Sequence, residues 1–207
     1  MSTSRHNFYA CIHKGIRREL SELARGAAHV DFADPEARAR YLDRLRASLT
    51  LMSAHATHED HHIEPLIESF APALARRIAA THRVLDEQEH TVLAAAEHAH
   101  DRVSGHALYL ALTRYAATQL GHMADEESEV MAVLWAHMSD VAILAVEHAI
   151  VESCTPAENA VYLEWMLRGV NEAEEAELLA GLRAGAPAEV VAYAEQIASD
   201  ARRQRAA

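Results

Sequence analysis

Residues 52–68 read MSAHATHEDHHIEPLIE, and this stretch decides the fold. Its apolar members Met52, Ile63 and Leu66 continue a stripe begun by Leu42, Leu45 and Leu49, stepping by three and four as the buried face of an α-helix does. Two members of that stripe are not apolar. His55 and Glu59 stand where core side chains belong, and a buried imidazole or carboxylate is costly unless something satisfies it. Pro65 must bend or end the helix, because its ring removes a backbone hydrogen bond.

The same pattern recurs on both sides of this segment. A first helix is expected from about Arg5 to Ala28, with the stripe Ile16, Leu20, Leu23 and Ala27, which meets His13 when extended backwards. Asp34-Pro35 is an N-cap and first-turn pair that opens the second helix, running to about Phe70. Pro72 opens a third helix to about His100, whose stripe runs Ile78, His82, Leu85, Glu89 and Val92. Gly105 punctuates before a fourth, which ends near Met138 and carries Leu108, Leu112, Tyr115, His122, Glu126, Val130 and Val133. Ser139-Asp140, Thr155-Pro156, Asn171 and Pro187 read as starts of four shorter helices. No segment alternates with period two, so no sheet is expected. The fold read from these signals is all-α: an up-down four-helix bundle over residues 1–138, with a C-terminal helical extension over 139–207 packed on it.

Fifteen histidines are the compositional oddity. His13 and His55 are 42 positions apart, and His82 and His122 are 40 apart, so the two helical hairpins look like copies of one unit. In each of the pairs His55/Glu59 and His122/Glu126, the carboxylate follows the imidazole by four residues, about 6 Å along one helix face. A metal ion satisfies all of these core-face groups together. The candidate metal ligands are therefore His13, His55, Glu59, His82, His122 and Glu126, with His58 as a further candidate. A four-residue step from His122 leaves Glu126 about 40° off its face, against about 140° for Glu127. His58 and His62 flank the ligand face, His6 and His90 lie towards a pocket rim, and His61, His98, His100 and His106 point to solvent. A ferritin-like arrangement needs Glu-x-x-His on alternate helices. Its two matches here, Glu59 to His62 and Glu87 to His90, fall on consecutive ones.

A formal net charge of -12, from 19 basic and 31 acidic residues, repels phosphate backbones and argues against nucleic acid as a partner. Cys11 and Cys154 make no thiolate motif, which argues against an iron–sulfur cluster. With no apolar signal core and no membrane-length apolar run, no membrane partner is expected and the location is expected to be cytoplasmic.

With these residues in view, the chain resembles the hemerythrin-like cation-binding family. The resemblance rests on His13 in IHKGIRREL, His55 and Glu59 in HATHEDHHIEPLI, His82 in THRVLDE, and His122 with Glu126 in HMADEESEVMAVLW, and covers about residues 6–136. The stretch containing YLEWMLRGV and LLAGLRAGAP looks like the C-terminal extension of some bacterial members. The resemblance implies two irons per chain, bridged by oxo or hydroxo groups and by carboxylates. It also implies a function of binding or sensing O2, NO or iron, with a small diatomic ligand or peroxide as the partner. An enzyme reducing peroxide or nitric oxide at the same centre is the first alternative. A structural or regulatory helical protein binding zinc or no metal is the second. Whether the chain forms a homo-oligomer stays open. The oxygen carriers place two histidines on the third helix at a four-residue spacing, whereas Asp86 follows His82 here, and the family's last carboxylate often stands five residues after its histidine, so the resemblance adds Asp86 and Glu127 as further candidate ligands. That pattern is similar to iron-sensing members and argues against reversible oxygen carriage.

Overall fold

Capping residues and prolines set where the helices begin. The structure, a computed structural model, describes residues 5–205, and every regular element among them is helical. In order these are α1 (Tyr9–His29), α2 (Pro35–His62), α3 (Glu64–Phe70), α4 (Pro72–His98), α5 (Arg102–Asp125), a π-helical turn (Glu126–Val130), α6 (Met131–His137), α7 (Asp140–Ser153), α8 (Pro156–Gly169), α9 (Glu172–Gly185) and α10 (Ala188–Arg205). Asp34 caps α2 by accepting from the N–H groups of Glu36 and Ala37. Capping boxes open α5 (Asp101 with Ser104), α8 (Thr155 with Glu158) and α9 (Asn171 with Glu174).

Three features depart from the stripes expected above. α2 stops at His62, where Ile63 donates its N–H to the Glu59 carbonyl, and α3 restarts with Pro65 in its first turn. The break shifts the buried position from Leu66 to Ile67, which is 1% exposed. In the π-helical turn the Met131 N–H reaches the Glu126 carbonyl, five residues back. One extra residue per turn moves the following core position from Val133 to Leu134. Gly105 lies inside α5, where an added Cβ would stand 2.1 Å from the Phe32 ring, so it permits close packing and breaks nothing.

The chain divides into two compact units, with α1 split between them at Leu20. The division differs from a boundary after Met138: α7 belongs with the first unit, and Phe8–Glu19 with the second. In the first unit α4 packs along α5, α2 packs on α4 and α7, and α3 packs on α4 and α6. Arg5 closes the end of α6 by donating to the carbonyls of Trp135 (2.6 Å) and Met138 (2.7 Å) while paired with Asp140. In the second unit α8, α9 and α10 bury Leu163, Leu167, Leu179, Ala194, Ile197 and Ala198 together. Buried Glu175 is paired there with Arg205 at 2.7 Å and Arg202 at 3.3 Å. No described helix is long and apolar enough to cross a membrane.

Candidate metal centre

Three helices and the π-helical turn of the first unit converge on one buried polar cluster. Glu59 comes from the last turn of α2, His82 from the middle of α4, His122 from the end of α5, and Glu126 from the first position of the π-helical turn. All four are buried, and one ligand atom of each lies within 4.8 Å of the others. The Nε2 atoms of His82 and His122 are 2.8 Å apart. His122 Nε2 is 3.1 Å from Glu126 Oε1, and His82 Nε2 is 3.8 Å from the same oxygen and 3.9 Å from Glu59 Oε2. His55, half-buried on α2, brings its Nε2 to 3.1 Å from Glu59 Oε1.

These separations fit a shared cation. With metal–ligand bonds of about 2.0–2.2 Å, neighbouring donors around one ion stand roughly 3.0–3.5 Å apart and opposite donors roughly 4 Å. The carboxylate–imidazole separations of 3.1–3.9 Å fall in that range, the two imidazoles stand slightly closer at 2.8 Å, and such donors suit several first-row metals. Packing four such groups together in a buried core is costly unless a cation or shared protons compensate them.

The electrostatics agree. Burial alone would lower the pKa of His82, but the hydrogen bonds it donates to Asp60 and Glu126, with the charge of Glu59, push it up to about 10. For Glu126, burial and the Glu59 charge raise the carboxyl pKa, yet the His122 and His82 hydrogen bonds outweigh them and hold it below the usual range. The metal-free cluster is therefore an imidazolium held between carboxylates, which is an arrangement that a divalent ion replaces on loss of the proton.

Asp60 was invisible to the stripe argument. It is adjacent to Glu59, exposed on its outer side, and accepts from His82 Nδ1 at 2.6 Å. The bond leaves Nε2 facing the cluster, the role carboxylates play behind metal-bound histidines. The His-Glu-Asp-His-His run at 58–62 was the available signal, since a helix bearing a ligand on one face presents the next residue to a neighbouring helix.

The other candidates lie outside this four-residue group. Asp86 is exposed, and its carbonyl accepts from His90 Nδ1 at 2.7 Å. Glu127 is half-buried, and His58 sits 2.9 Å from the Ser153 hydroxyl. His13 is fully buried on the part of α1 assigned to the second unit, its ring stacked on Tyr9 at 4.7 Å. His6 pairs with Glu147 at 2.7 Å in place of a pocket rim, and His61, His90, His98, His100 and His106 are exposed. Tyr115 is buried two turns before His122 with its hydroxyl 3.9 Å from Met52 Sδ. No protein-family model, curated protein or solved structure matches the chain.

Proposed function

We propose that the protein is a hemerythrin-like, non-haem metal-binding protein whose four-helix bundle holds two irons and which binds or senses O2, NO or iron. The observation that carries the reading is the convergence of Glu59, His82, His122 and Glu126 in a buried cluster. His55 extends the donor set through Glu59, and His13 is the sixth donor read from the sequence. Six donors exceed what one ion requires, which is the ground for two. Bound iron supplies a redox-active, ligand-binding centre; the chain supplies the donors, excludes bulk water around them and fixes the His82 ring through Asp60.

Metal analysis and an optical spectrum of protein expressed without added metal test this. Close to two irons per chain is the expected result. A preparation that takes up no iron on reconstitution, yet keeps full helicity and stability, sinks the reading, and stoichiometric zinc or manganese replaces it with a different metal at the same donors.

A further inference from the structure

Metal-ligating histidines hold their second ring nitrogen in a hydrogen bond that fixes tautomer and ring plane. His82 has that bond with Asp60. His122 lacks one: its Nδ1 is buried with no hydrogen-bond partner. Exposed His29, His90, His98 and His137 each place Nδ1 on the carbonyl four residues earlier, so His122 forgoes an option its neighbours use. Three residues before it on α5 stands Gln119, 4% exposed, whose Oε1 is likewise buried with no hydrogen-bond partner.

The two unmet groups are complementary. With Nε2 turned to the cluster, neutral His122 carries its proton on Nδ1 and donates, while an amide oxygen can only accept. Helix geometry brings them within reach, because residues three apart have Cβ atoms about 5–6 Å from each other. Helical side chains also lean towards the N-terminus, so the His122 ring covers the turn that bears Gln119.

We propose that Gln119 is the positioning residue of His122, its Oε1 accepting the Nδ1–H when a metal occupies Nε2. The inference rests on the metal-centre reading above and adds an asymmetry to it: a carboxylate stands behind His82, a neutral amide behind His122. An anionic acceptor makes an imidazole a stronger donor to metal than a neutral one does, so His122 is the weaker of the two imidazole ligands.

The test uses the full chain with cobalt(II) as the probe. Affinity is measured by chelator competition, and the ring N–H protons of 15N-histidine-labelled protein are followed by paramagnetic NMR. The unmutated protein should show a slowly exchanging His122 Nδ1–H. Gln119→Leu should lose it and bind cobalt about tenfold or more weakly, whereas Gln119→Glu should keep it and bind at least as tightly as the parent. Equal behaviour of Gln119→Leu and the parent overturns the proposal, as does equal weakening by leucine and glutamate. Should the leucine variant fail to fold, the unmutated protein decides, since a His122 N–H in rapid exchange with water is incompatible with the bond. A parent that takes up neither cobalt nor iron instead overturns the metal-centre reading itself, before any variant is compared.

Discussion

At the scale of single residues, what a histidine does depends on which face it occupies. His55 and His122 are half-buried and buried, and both contact carboxylates of the cluster; His61 and His98 are exposed. Replacing either of the first two by Ala should lower metal content and, because bound metal stabilises the folded state by mass action, lower the melting temperature. Ala at His61 or His98 should change neither, and equal losses at all four positions would mean the faces are misassigned. Asp60→Asn should weaken metal binding by about 10–100-fold with little change in helicity, as chelator competition and circular dichroism would report. The raised pKa of His82 has its own consequence. Its folded value of about 10 lies above the usual imidazole value of about 6.5. The stabilisation it gives the metal-free chain is whole below about pH 6.5 and is lost as the pH rises through 10. Melting curves of the metal-free protein should therefore fall between pH 7 and 10, and His82→Gln should remove that part of the fall. Most of this chemistry was legible from spacing, since a four-residue step on a straight helix selects Glu59 and Glu126. Asp60 and Gln119 were not, because one sits on a solvent flank and the other is a neutral residue that no metal pattern requires.

At the scale of elements, starts were legible and interiors were not. Asp34, Thr155 and Asn171 are strong caps whose side chains bond local N–H groups, a decision taken within four residues and therefore written in the sequence. The break at Ile63 and the π-helical turn at Glu126 depend on what surrounds the helix, so the expected stripes slipped by one, from Leu66 to Ile67 and from Val133 to Leu134. Glycines divide by the same logic. In the second unit an added Cβ on Gly15 would lie 2.6 Å from the Trp165 carbonyl carbon, and on Gly169 2.7 Å from the backbone of Lys14. Backbone cannot rotate aside as a side chain does, so Gly15→Ala and Gly169→Ala should each destabilise by about 1–3 kcal/mol. Gly121 and Gly181 face open space. Alanine there should stabilise by up to about 1 kcal/mol through helix propensity. Urea denaturation of the four variants measures both signs, and a loss at Gly181 equal to that at Gly15 would refute the close-approach argument.

At the scale of the whole molecule, helical class follows from composition and period, whereas the grouping of helices does not. Phe8–Glu19 belongs with the C-terminal helices, a long-range pairing that no local signal announces. The molecule is also acidic on balance, with a formal net charge of -12, and the cluster itself offers as many carboxylates as imidazoles. That balance bears on the proposed iron centre. A reversible oxygen carrier must give electrons to oxygen and recover them on release, which requires the ferrous state to stay accessible. Anionic oxygen donors favour the more highly charged ferric ion, and neutral imidazoles discriminate less. Here α4 brings one histidine to the cluster, while Asp86, four residues on, is exposed and adds no second. Glu59 and Glu126 are both buried beside the imidazoles, and Glu126 is held ionised by the His122 and His82 hydrogen bonds. The balance tilts towards a ferric resting state. Protein reduced without oxygen, exposed to air and then evacuated while its spectrum is recorded should stay in a stable diferric form. Full return of the diferrous spectrum over repeated cycles would make the protein a carrier and overturn the expectation.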